Sequence, residues 1–265
     1  MKATIDVIKE QFGNFYLIFR LASYDIKGKY QSHYLGVAWQ FLNPAMQIII
    51  YWLVFGLGIR NGHPIGGTPF FVWMILGAVP WFFISATLIQ GSNSVYNKVS
   101  LVAKMKFPVS VLPSITIVSN IFNFIFMLLI LGVILFVYGI NPGIYLLQLP
   151  YFIVSMIIFL FAVSLLFSTI ATIARDFQLI LQSSMRMMIY LLPVLWDMEK
   201  LPLLNFFRLN PLYYLIDGFR KTFLMKEWFF YDWKYTLYFW IVTLLILLIG
   251  AIVHVRFRKR FVDYI

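Results

Sequence analysis

The sequence predicts an all-α polytopic membrane protein. It is expected to have six transmembrane helices, an N-terminal interfacial amphipathic helix, short extracellular re-entrant helices between spans 5 and 6, and both termini cytoplasmic. Three observations predict this. Of 265 residues, 62% are hydrophobic and only 12% charged, whereas soluble chains carry roughly a quarter charged residues. Apolar runs recur that reach the roughly 20 residues needed to cross a hydrocarbon core. The net charge of +11 is gathered between those runs, where it reads as topology and anionic-lipid contact, with no nucleic acid partner. The chain divides as a single transmembrane domain, 1–265: a cytoplasmic interfacial segment (1–33), a six-helix membrane region (34–255) and a basic cytoplasmic tail (256–265).

At the start, a signal peptide is not expected, because a continuous apolar stretch and a small-residue cleavage site are both missing. Ile5, Ile8, Phe12, Phe15, Tyr16 and Phe19 recur at steps of three and four, with Lys9, Glu10 and Asn14 elsewhere. This is the pattern of a helix lying in the membrane interface, either as an anchor or as an element that passes motion to span 1. The spans follow near 35–58, 70–92, 112–138, 146–172, 178–195 and 235–255. A seventh crossing over "PLLNFFRLNPLYYLIDGF" is disfavoured by Arg208, Asp217 and two prolines.

Between spans 2 and 3, "YNKVSLVAKMKFPVSVLP" is long enough for a short helix ended by Pro108, with Val99, Val102 and Met105 on one face. Such a helix could enter a groove on a soluble partner, or the loop could be tethered to anionic headgroups. Between spans 5 and 6, Asn210 is placed to cap a helix that has Pro211 at its first position. Leu212, Leu215, Ile216, Phe219 and Phe223 form its apolar face, and Asp217, Arg220 and Lys221 a polar one. The segment is too short to cross, so it is expected to dip into the outer boundary and return, as a lid or a static cap.

Basic residues set direction. Lys2, Lys9, Arg20, Lys27, Lys29, Lys98, Lys104, Lys106, Arg175, Arg256, Arg258, Lys259 and Arg260 fall on one side, and seven others on the opposite side. The richer side is expected to be cytoplasmic. Arg186 alone falls inside a span, eleven residues after Arg175, or about 16 Å along a helix. A charge at that depth faces a bundle interior or an aqueous cavity. It would serve as a counter-charge for a passing phosphate, or pair with carbonyls and neighbours such as Gln182.

Catalytic chemistry is not legible. There is no cysteine, and His33, His63 and His254 are scattered, so a metal site is not expected. Phosphate-loop, zincin and nucleophile-elbow patterns are missing. The spans contain no acidic residue to suggest ion coupling, so uphill movement would draw on a separate ATP-hydrolysing subunit.

Four stretches together resemble the permease subunits of the ABC-2 family of polysaccharide exporters, most nearly those that translocate teichoic acid in Gram-positive bacteria: "YDIKGKYQSHYLGVAWQFLNP", "LVAKMKFPVSVLP", "IARDFQLIL" and "LNPLYYLIDGFR". One departure is Tyr24-Asp25, where the family often has Arg-Asp. The resemblance implies a plasma-membrane complex of two permeases and two ATPases, with ATP and Mg2+ held by the ATPase and no cofactor bound by this chain. It implies that Ser100, Leu101, Val102, Ala103, Lys104, Met105, Lys106 and Phe107 form the coupling segment on the ATPase. Asn210, Pro211 and Arg220 would belong to the outer re-entrant segment. The implied cargo is an undecaprenyl-diphosphate-linked wall teichoic acid, its phosphates meeting Arg186 and the entrance lysines Lys27 and Lys29. Alternatives are O-antigen or capsular polysaccharide export, small-drug export, and a membrane-embedded glycan transferase or ligase using Asp197, Glu199 or Asp217.

Overall fold

The computed structural model describes residues 2–30, 34–59, 61–98, 107–198, 202–258 and 261. Among the described residues, five helical stretches are long and apolar enough to cross a membrane: Leu42–Ile59, Phe70–Ser92, Val109–Val137, Gly143–Ile173 and Trp233–Phe257. They match five of the six expected spans to within a few residues, except that the first begins later.

The N-terminal segment is two helices, α1 (Lys2–Gly13) and α2 (Phe15–Tyr30), separated at Asn14. Their expected apolar stripe points away from the rest of the molecule: Ile5, Phe12, Phe15, Tyr16 and Phe19 are all exposed. The face that meets the protein is instead made of Thr4, Val7, Ile18 and Ala22, with Gln11 reaching the Ser110 carbonyl at 3.0 Å. An outward apolar stripe with a small inward face suits a helix bedded in lipid along one side.

Helix α3 (Trp39–Tyr51) continues as a π-helical stretch, Trp52–Ile59. Helix α4 (Phe70–Ser92) is the centre of the bundle. It is apolar nearly all round and is covered on all sides, as such helices are. After the short α5 (Ser94–Asn97) come α6 (Leu112–Val137) and α7 (Leu149–Ile173). Phe83 of α4 stacks on Phe124 of α6 at 4.7 Å, and Asn120 of α6 donates to the Thr87 hydroxyl of α4 at 3.3 Å. Gly91 of α4 lets α7 close in, since a Cβ there would lie 2.5 Å from Ser164 Oγ.

The expected fifth span is the 16-residue helix α8 (Asp176–Leu191), about 24 Å long. It is shorter than the predicted 178–195 because Leu192 turns extended before Pro193. Gln178 ties it to α4, accepting from Ser92 Oγ at 2.6 Å and donating to the Ile89 carbonyl at 2.9 Å. Then follow α9 (Leu204–Arg208), α10 (Pro211–Arg220) with a π-helical extension Lys221–Met225, and α11 (Trp233–Phe257).

Helices α7 and α11 run parallel. Gln148, before α7, bonds the backbone of Glu227 and Phe229, before α11, while Thr169 and His254 meet near their far ends at 3.0 Å. Gly250 permits this approach: a Cβ there would lie 3.3 Å from the Ala162 carbonyl. Glu10 then joins three segments, accepting from Arg258 at 2.7 Å and from Ser110 at 2.5 Å. The first helix and the last therefore meet at the same end of the bundle.

Candidate substrate groove

Two clefts flank α3 and share Gln47, Phe82, Ser85 and Ile89. On one side Tyr51, Trp81, Met185, Arg186 and Ile189 complete a space of about 160 Å³ between α3, α4 and α8. On the other, Asn43, Asn120, Asn123 and Met127 complete one of about 240 Å³ between α3, α4 and α6. Counted from Asp176, Trp39 and Ser92, Arg186, Gln47 and Ser85 lie ten, eight and seven residues along their helices, or roughly 10–15 Å.

Arg186 is exposed on α8, and its Nε donates to the Gln182 carbonyl at 3.4 Å, one turn back. That local bond uses one of the five guanidinium donors of a residue that lines the groove. Around it, carboxamides and hydroxyls both donate and accept, and Phe82 and Trp81 supply ring surface. Such a surface can hold phosphate at one point and sugar elsewhere. The carboxamides were not among the residues singled out from the sequence. Their signal was present: Asn43 and Gln47 are four apart, and Asn120 and Asn123 three apart, each pair inside an apolar span.

Lys27 is exposed on α2, and Lys29 lies two residues on in the same helix. Lys27 is not among the residues that line the two clefts. Ser100, Leu101, Val102, Ala103, Lys104, Met105 and Lys106 lie outside the described residues, as do His33 and Glu199. Phe107 is described, half-buried against a small cluster that contains Ile18, Ala22 and Val95. Just before the loop, Lys98 pairs with Asp25 of α2 at 2.5 Å. An inter-element bridge thus exists at Asp25 although the preceding residue is tyrosine.

At the other end of the bundle, Asn210 caps α10 by accepting from the Leu212 amide at 3.0 Å, and Pro211 opens the helix. The two-faced character expected of this helix is not what the fold uses. Every residue from Leu212 to Arg220 is buried. Phe152 of α7 sits directly over Gly218, where any Cβ would overlap its ring. Arg220 is 2% exposed, with its guanidinium 3.5 Å over the Trp73 ring, so a residue assigned to a polar face is packed into the protein. The physical reason is cation–π stacking, which lets a guanidinium be buried against an aromatic face. A cleft of about 470 Å³ brings Asp197, Asp217 and Glu227 near Arg220. Asp217 pairs there with Lys221 at 3.5 Å.

The comparisons with known proteins agree with this architecture. Residues 16–224 match the ABC-2 type transporter family. An O-antigen export system permease protein RfbA from Myxococcus xanthus is 28% identical over 195 residues, 74% of each chain. Another O-antigen export system permease protein RfbA, from Klebsiella pneumoniae, is 26% identical over 255 residues, 94% of this chain and 95% of its own. With several apolar helices long enough to span a bilayer and a family match over most of its length, this multi-pass membrane protein belongs to the ABC-2 type transporter family.

Proposed function

We propose that the chain is the membrane-spanning subunit of an ATP-driven exporter of lipid-linked polysaccharide, of the O-antigen kind. The observation that carries this reading is the likeness to O-antigen export permeases over nearly the whole chain, 94% for one of them. It favours O-antigen export over the teichoic acid cargo expected from the motifs. ATP and Mg2+ belong to a separate ATPase, in an assembly of two permeases and two ATPases, and the coupling segment 100–107 docks on it.

In this reading both termini are cytoplasmic and the chain crosses six times. Supporting it, α7 and α11 are parallel, so residues 174–232 must carry the chain back between them, and α8 is the element available. The end that bears Arg258 and Lys98 is also the basic one, as expected on the cytoplasmic side. Arg186 offers a counter-charge to the lipid diphosphate within the membrane, and Lys27 and Lys29 gather it at the entrance.

The test is export in cells lacking the chromosomal copy, read as surface glycan, together with co-purification of the assembly. Restored surface O-polysaccharide and a stoichiometric ATPase support the reading. Restoration of a ribitol- or glycerol-phosphate polymer alone would return the cargo to teichoic acid, and isolation without any ATPase would overturn the exporter itself.

A further inference from the structure

At the basic end of the bundle, adjoining the groove along α4 and α6 (Gln90 follows Ile89, Ser119 precedes Asn120), a further cleft of about 360 Å³ lies between α2, α4–α5 and α6. It falls within the range of small-ligand sites, roughly 300–1,000 Å³. We infer that this cleft is a recognition site for an uncharged sugar unit of the lipid-linked glycan, engaged before the glycan enters the membrane groove. The inference rests on the export reading above and adds a site to it.

The lining carries the argument. Ser94, Thr116 and Ser119 contribute hydroxyls, and Gln90 and Asn97 carboxamides. Each of these groups donates and accepts, matching the dual character of sugar hydroxyls. The charged lining residues are Asp25 and Lys98, joined to each other. A diphosphate placed there would meet one lysine already neutralised by a carboxylate, so the cleft is poorly matched to an anion and well matched to a neutral polyol.

The second observation is Ser94. It is 4% exposed, lines the cleft, and its hydroxyl has no hydrogen-bond partner among the described residues. The Ser94 oxygen is closed off from the cleft itself, so a bound sugar gives it a partner only when the side chain turns toward the ligand.

The fold also supplies a clean test. Gly28 lines the cleft's mouth on α2, and a Cβ there meets nothing within 4 Å. Gly28→Trp therefore occludes the mouth without backbone strain, and Gly28→Ala is its control for helix propensity. The chain has no cysteine, so Ser119→Cys places a single thiol in the cleft of the intact permease–ATPase complex in nanodiscs. Maleimide labelling is measured with two probes, a short-chain prenyl diphosphate bearing a disaccharide and the same prenyl diphosphate without sugar. Protection by the sugar-bearing probe alone is expected. Adding Gly28→Trp should raise its half-protecting concentration by about tenfold, the equivalent of one or two lost hydrogen bonds, while Gly28→Ala changes it little. Equal protection by the sugar-free probe would make the cleft an anion site and overturn the inference. So would protection by neither probe, or unchanged export with Gly28→Trp. Wild-type complex that exports no glycan at all would instead defeat the export reading.

Discussion

The stretch Leu42–Ile59, which is α3 with its π-helical continuation, and helix α4 are both membrane helices by hydropathy, with windows of mean hydropathy 1.6 and 2.0, yet 6% of the first window and 78% of the second is buried. The difference is between a surface that faces outward and one that holds the molecule together. Within lipid the hydrophobic effect does not distinguish them, because hydrocarbon is as good a neighbour for leucine as protein is. What distinguishes them is close packing. Along α4, Gly77 and Gly91 let backbones and Arg220 approach, and Thr87, Ile89 and Ser92 take hydrogen bonds from or to α6 and α8. Along α3 and its π-helical continuation, Ile49, Ile50 and Leu53 are about half exposed, and Asn43 and Gln47 line clefts.

The comparison breaks most readily at α4. Gly77→Leu would drive a Cβ to 3.2 Å from the Val194 backbone and into Arg220. The expected cost is about 3 kcal/mol or more, seen as loss of folded protein in a thermal-stability assay in detergent. An unchanged midpoint would show that α4 is not the packing centre. Phe152→Ala, which empties the space over Gly218, should cost about 2 kcal/mol, less than in a soluble core because lipid replaces water in the reference state. That value is checked by the same assay.

On the α3 side the readout moves from stability to transport. Arg186→Met should lower glycan export by roughly tenfold, the scale of one charge-assisted hydrogen bond, with protein abundance retained. Equal loss of both would assign Arg186 to structure. The smallest effect is expected for Ile49→Ala and Leu53→Ala, within about 0.5 kcal/mol for the isolated protomer. Their effect on association of two copies, measured by native mass spectrometry, sharpens the contrast: weakened pairing would identify the outward face of α3 as an interface, and intact pairing would assign it to lipid.

Much of this was legible in the chain itself, for identifiable reasons. Helix α4 occupies the predicted 70–92, because long apolar runs bounded by Pro69 and Asn93 leave little freedom in a bilayer. The Asn210 cap and Pro211 start were visible because capping is a local interaction. The α1–α2 stripe was visible by its period, although which neighbours its other face would take was not. The end of α8 was misjudged by several residues, since "LLPVLW" is apolar enough to continue a span and only the extended turn at Leu192 stops it. Arg220 was placed on a polar face because its Trp73 partner is almost 150 residues away in sequence.

Composition and periodicity alone thus determined a multi-pass helical protein, the positions of most of its helices and the charge asymmetry of its two sides. These follow from the short-range demand that every backbone group in lipid be satisfied within a helix. Tertiary structure decided which helix is core, that Arg220 is buried, that the two terminal helices meet through Glu10, and that carboxamides from separate spans line common clefts. Those outcomes depend on contacts between residues far apart in the chain, and hydropathy, which is equal on both sides of such a contact, carries no record of them.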